Sequence, residues 1–190
     1  MSTTKFTSRE LAIASGLAAF SAVVQLIHLG YQSPQWGMWI DIVAVSWIVA
    51  FFLYGVRMSF MVSLLGALII TLFAPDTWLG ASMKWVATMP MWLCLYLWLA
   101  ISKQKIAKYR KITYIVVPVI FGIIIRSLIV LPLNYYYAIP IWTGMTAQQA
   151  ISAIPWWVIA GFNAIQGVLD VVLAWILVFR FRLHRFANWT

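Results

Sequence analysis

Long apolar runs, each close to the length of a bilayer crossing and separated by short basic or turn-rich segments, dominate this chain. A helix needs about 20 apolar residues to cross a hydrocarbon core roughly 30 Å thick, and few folds satisfy that pattern. Of 190 residues, 64% are hydrophobic and only 9% charged, with mean hydropathy +0.94. A soluble domain of this size cannot hide so much apolar surface, so lipid must be the solvent. The expected fold is an all-α membrane protein, a single integral domain over residues 1–190 with no separate soluble part.

Six transmembrane helices are expected, over residues 9–29, 37–55, 58–73, 81–101, 112–131 and 154–179. The first run is too long for a signal-peptide core and has no small-residue cleavage site at its far end, so it is kept as a span. Residues 127–169 hold no charge but are not expected to form one helix, because Pro132, Asn134, Pro140, Gly144 and residues 146–149 interrupt them. Pro155 suits the first turn of the last span.

An even number of crossings returns the chain to its starting side. On that side lie Lys5, Arg9, Arg57, Lys103, Lys105, Lys108, Arg110, Lys111, Arg180, Arg182 and Arg185, eleven of the 13 Lys and Arg. Such an excess marks the cytoplasmic face, so both termini are expected there. The net charge of +9 then reflects topology, and no nucleic-acid partner is implied. The opposite side holds the segment around residues 32–39, the loop with Asp76, and the long connection 133–153, with tryptophans suited to an interfacial belt. The single cysteine, Cys94, cannot form an internal disulfide.

Charges at membrane depth cost roughly 2.5–3.5 kcal/mol each on insertion scales and need partners or water. Asp41 and Lys84 fall near outer helix ends, where a structural and a functional role stand equally open. Arg126 and Asp170 lie deeper at similar depths on antiparallel spans, and an ion pair locking the helices is the favoured reading. Asn163, Gln166 and Asp170 share one helical face at i, i+3 and i+7. Asn134 precedes Tyr135, Tyr136 and Tyr137. Interhelical hydrogen bonding would explain either group alone. Together, toward one end, they favour a polar ligand pocket.

Ala14, Ala18 and Ala22 recur at every fourth position, a spacing that lets another helix approach closely, inside the bundle or from another subunit. There is no P-loop and no HExxH motif, His28 and His184 stand apart, and no Ser/His/Asp set or paired carboxylate lies in the spans. An enzyme is therefore not expected, and no intrinsic cofactor is implied.

Several segments, taken in order, resemble a known family: residues 39–42, 53–55 and 80–90, then Leu133-Asn134-Tyr135 through Pro140, and Gly161-Phe162-Asn163 through Gly167. Their order and spacing resemble the S components of energy-coupling-factor (ECF) vitamin transporters, the riboflavin-specific branch most closely. That resemblance implies a six-helix subunit of a prokaryotic cell membrane that captures a vitamin from outside. It also implies partners: a membrane coupling protein, the T component, and two cytoplasmic ATPases. The family's ligand-contacting asparagines map onto Asn134 and Asn163, and the alanine face of Ala14, Ala18 and Ala22 onto the coupling-protein interface. Two departures stand out: Gln166 where a lysine is usual, and Lys84 where an asparagine is expected.

The resulting expectation is an outward cavity capped by the loop after the first helix. There Asn134, Asn163 and Gln166 would bond the polar edge of a planar heterocycle, riboflavin being the transported ligand. Lys84 would face a carbonyl edge, Trp36, Trp85 or Tyr135 would stack on the ring, and Asp41 is counted among the ligand-binding residues. Alternatives are an S component for another vitamin, a solitary facilitator, or a structural membrane subunit that holds no small molecule.

Overall fold

The computed structural model describes residues 6–27, 30–73 and 77–187; Lys5, His28 and Asp76 lie outside the described residues. Helix α1 (Ser8–Leu26) opens on a capping box in which the Thr7 hydroxyl accepts from the Glu10 N–H while the Glu10 carboxylate accepts from the Thr7 N–H. A hairpin of β1 (Gly30–Gln32) and β2 (Trp39–Asp41) follows, paired antiparallel. Next come α2 (Val45–Tyr54), α3 (Val56–Phe73), α4 (Thr77–Ile101) and α5 (Thr113–Leu133). The chain ends through the short α6 (Ile139–Thr143) and α7 (Ala147–Ala153) and the long α8 (Trp156–Trp175). Among the described residues, four helical stretches are long and apolar enough to cross a membrane: Ser8–Leu26, Trp78–Ile101, Thr113–Thr143 and Trp156–Arg180. The chain is thus a helical, multi-pass membrane protein.

Three sequence expectations change here. The run 37–55 is not one helix: three residues near its start form β2, and α2 has only 10 residues, about 15 Å of rise. Asp41 makes the switch. Its Oδ1 accepts from the Val43 N–H at 2.9 Å, a local turn that competes with helix, while its own N–H leaves the chain to meet Gln166. Gly30 is required opposite it, since a Cβ there would lie 2.2 Å from the Ile40 carbonyl oxygen.

The fifth run does not stop near residue 131. It continues as one helical rod of 31 residues, Thr113–Thr143, through Pro132 and Pro140. A π-helical turn at Asn134–Ala138 absorbs the hydrogen bonds that the prolines disturb. The rod ends at Gly144, whose φ of +71° gives the left-handed cap.

Third, the alanine face of α1 is not a free surface. Ala14, Ala18 and Ala22 are 1%, 0% and 4% exposed. Ala14 and Ala22 pack in a core cluster with Trp47 of α2 and Met58 and Val62 of α3. Their small side chains serve close packing within the bundle. A second cluster, around Phe51, Phe52, Tyr109 and Phe179, fills the end of the bundle near the basic segments. Tyr109 closes it: its hydroxyl donates to the Leu95 carbonyl at 2.6 Å, and its carbonyl accepts from the Trp175 indole at 2.7 Å. A third cluster, with Tyr135, Ile139 and Ile159, lies toward the opposite end, where the hairpin sits.

Candidate ligand site

A cavity of about 550 Å³ occupies that end, roofed by the hairpin and walled by α4, α5, α6 and α8. Each wall contributes one helical stripe. On α4 it is Ala81, Lys84 and Thr88, at i, i+3 and i+7; on the α5 rod it is Arg126, Val130 and Asn134, at i, i+4 and i+8. On α8 it is Asn163, Gln166 and Asp170, with Phe162 beside them. Trp36, Met38, Trp39 and Asp41 reach in from the hairpin, and Ile139, Trp142 and Thr143 from α6.

The two asparagines are held alike. The Asn134 amide nitrogen donates to the Val130 carbonyl at 2.9 Å, and the Asn163 amide nitrogen to the Ile159 carbonyl at 2.9 Å, each one turn back on its own helix. One amide hydrogen on each is left over, a free donor beside an acceptor oxygen. The Asn163 oxygen also accepts from Arg126 Nε at 3.0 Å, which ties α5 to α8.

Gln166 is differently employed. Its oxygen accepts from the Asp41 N–H at 2.9 Å, and its nitrogen donates to the Asp41 carbonyl at 2.8 Å and to Asp170 Oδ1 at 2.8 Å. Both amide hydrogens are therefore engaged, and the side chain fastens the hairpin to α8. Lys84 forms an ion pair with Asp41 Oδ2, so two departures from the expected pattern meet at one residue of the roof. Deeper, Arg126 Nη1 lies 3.9 Å from Asp170 Oδ2, joining the helices as the sequence suggested. Neither atom has a hydrogen-bond partner, and neither has the Thr88 hydroxyl.

The solved structure of the S component of a bacterial ECF transporter superposes on 94% of this chain and 96% of its own, with TM-score 0.72 and 23% identity. The chain has the fold of an ECF-transporter S component. No protein-family model and no curated protein matches the sequence.

On this S-component fold, Asn134, Asn163, Gln166, Lys84, Asp41 and Trp36 come together around one cavity. Trp85 and Tyr135 do not line it. The Trp85 indole donates to the Ser63 hydroxyl at 3.1 Å and lies edge-on to Phe60, turned toward α3. The Tyr135 hydroxyl donates to the Ile154 carbonyl at 2.7 Å within a separate cluster with Ile139 and Ile159. Tyr135, adjacent to Asn134, lies about 100° around the helix from the Arg126–Asn134 stripe, an offset its position in the sequence already carried. Thr88, one turn beyond Lys84, was findable from its i+4 offset. Trp142 and Thr143 were not, because the rod was expected to end before them. No group of His, Cys, Asp and Glu among the described residues is arranged to hold a metal ion.

Proposed function

We propose that this chain is the substrate-binding S component of an ECF transporter and captures a vitamin, riboflavin or a related flavin, in the roofed cavity. The carrying observation is the hollow itself. It falls in the roughly 300–1,000 Å³ range of small-molecule sites and combines apolar and aromatic walls with a few convergent polar groups. A helix bundle serving only as a scaffold would fill such a space, since voids cost stability.

In this reading Asn134 and Asn163 each offer a donor and an acceptor to the edge of a planar ring. Trp36, Trp39 and Trp142 supply faces for stacking. The hairpin is the cap, held by Gln166 and by Lys84–Asp41. All six apolar helices cross or enter the bilayer, α2 and α3 as the shorter two, and both termini are cytoplasmic, where the basic residues gather. The chain acts without catalysis. It works in a prokaryotic cell membrane beside a T component and two ATPases, whose hydrolysis drives release of the ligand inside. With the alanine face of α1 buried, the coupling partner meets other surfaces of the bundle.

The test is direct. Protein purified in mild detergent is denatured, and the released small molecules are identified by absorbance and mass spectrometry. A flavin in near-equimolar amount supports the proposal. Protein that carries no small molecule, and takes up none from a panel of vitamins, defeats it in favour of a structural subunit.

A further inference from the structure

Among the described residues, four charged side chains line the cavity, Asp41, Lys84, Arg126 and Asp170, two of each sign. They are matched one to one. Lys84 is bonded to Asp41 at the roof, and Arg126 faces Asp170 at 3.9 Å in the floor. Gln166 sits between the two acidic residues, donating to the Asp41 backbone carbonyl and to Asp170 Oδ1. Arg126, Asp41 and Asp170 are 4%, 7% and 0% exposed.

We infer that the cavity selects a ligand of zero net charge, and that the two ion pairs Lys84–Asp41 and Arg126–Asp170 make that selection. The inference rests on the reading of the cavity as a ligand site and narrows its substrate class. A charged ligand would lose its hydration on entering and find no unmatched countercharge. To gain one it would have to break a pair already formed and strand the displaced partner. A neutral heterocycle meets the two asparagine amides, the Thr88 hydroxyl and the unbonded Arg126 Nη1 and Asp170 Oδ2 of an already formed pair, and need break neither pair.

The experiment titrates the purified protein with vitamins and derivatives grouped by charge. The uncharged group is riboflavin, nicotinamide, panthenol and biotinamide. The charged group is thiamine, folate, nicotinate, pantothenate and biotin. The tightest binder is expected to be uncharged, with every charged compound at least 100-fold weaker. A charged compound binding tightest, or no uncharged compound binding, overturns the inference. If another uncharged compound binds and riboflavin does not, the charge selection stands and the flavin assignment falls.

A second arm uses Asp41→Asn, which keeps the oxygen that accepts from Val43 and leaves Lys84 with its charge unmatched. Between an acid and its amide, such as biotin and biotinamide, the variant is expected to shift preference toward the acid by at least tenfold. Lys84→Met combined with Asp41→Asn restores neutrality and is expected to reverse the shift. An unchanged preference in the folded single variant contradicts the role given to the pair.

Discussion

The side chain of Gln166 grips the backbone of Asp41 from both sides, accepting from its N–H at 2.9 Å and donating to its carbonyl at 2.8 Å. A residue 125 positions away in sequence thus completes the pairing that the edge of β2 would otherwise offer to water. The roof of the cavity hangs on this contact and on the neighbouring Lys84–Asp41 pair.

Replacing Gln166 by Leu should therefore free the hairpin without unfolding the bundle. Hydrogen exchange at residues 30–41 is expected to rise while α4 and α8 remain protected. Ligand dissociation should quicken by at least tenfold, in line with about 1 kcal/mol or more per lost hydrogen bond. An unchanged dissociation rate would remove Gln166 from the closure.

Asn163→Leu removes one of the two cavity-lining asparagine amides and the acceptor for Arg126 Nε. Affinity should drop at least tenfold, since a buried polar group without a partner costs about 1–3 kcal/mol. Trp85→Phe is the control, because the Trp85 indole is turned to Ser63 and not to the cavity. Equilibrium titration should show affinity within twofold of the parent for Trp85→Phe and a clear loss for Asn163→Leu.

Arg126→Met leaves Asp170 alone in a site with no exposed surface. Breaking one side of a buried pair typically costs about 3–5 kcal/mol, whereas replacing both by apolar residues is often neutral. Thermal unfolding in detergent should show a large loss for Arg126→Met. Most of it should return in the combination with Asp170→Leu. Equal instability of the single and double variants would mean that the two charges do not depend on each other.

Ala18→Leu places a large side chain where the alanine is fully buried. Overpacking of this kind costs about 1–3 kcal/mol, so the melting temperature should fall. Ala19→Leu, on the exposed side of the same helix, should leave it unchanged. A stable Ala18→Leu protein that has lost only its partner would restore the alanine face to an interface role.

Much of the fold was legible because the dominant physics is simple. Apolar length marks the helices, and the i, i+3, i+7 stripe on α8 brings Asn163, Gln166 and Asp170 to one wall, as its spacing implied. What escaped was local competition. At Asp41 a side-chain turn and a distant glutamine convert part of an apolar run into a strand. Around Asn134 a π-helical turn continues the helix between Pro132 and Pro140, where the sequence was expected to break it. The alanine spacing correctly signalled close approach, but a small-residue stripe has the same form whether its neighbour is α3 or another protein. Lys84 and Asp41 were each singled out; only three-dimensional placement reveals that they answer each other.

The most direct measurement is a fluorescence titration of riboflavin with the purified protein, run in parallel with Asn134→Leu and Asn163→Leu. Capture in the roofed cavity predicts saturable quenching at one flavin per chain, weakened at least tenfold by either substitution. Linear, unsaturable quenching, or saturation that neither substitution disturbs, would contradict it.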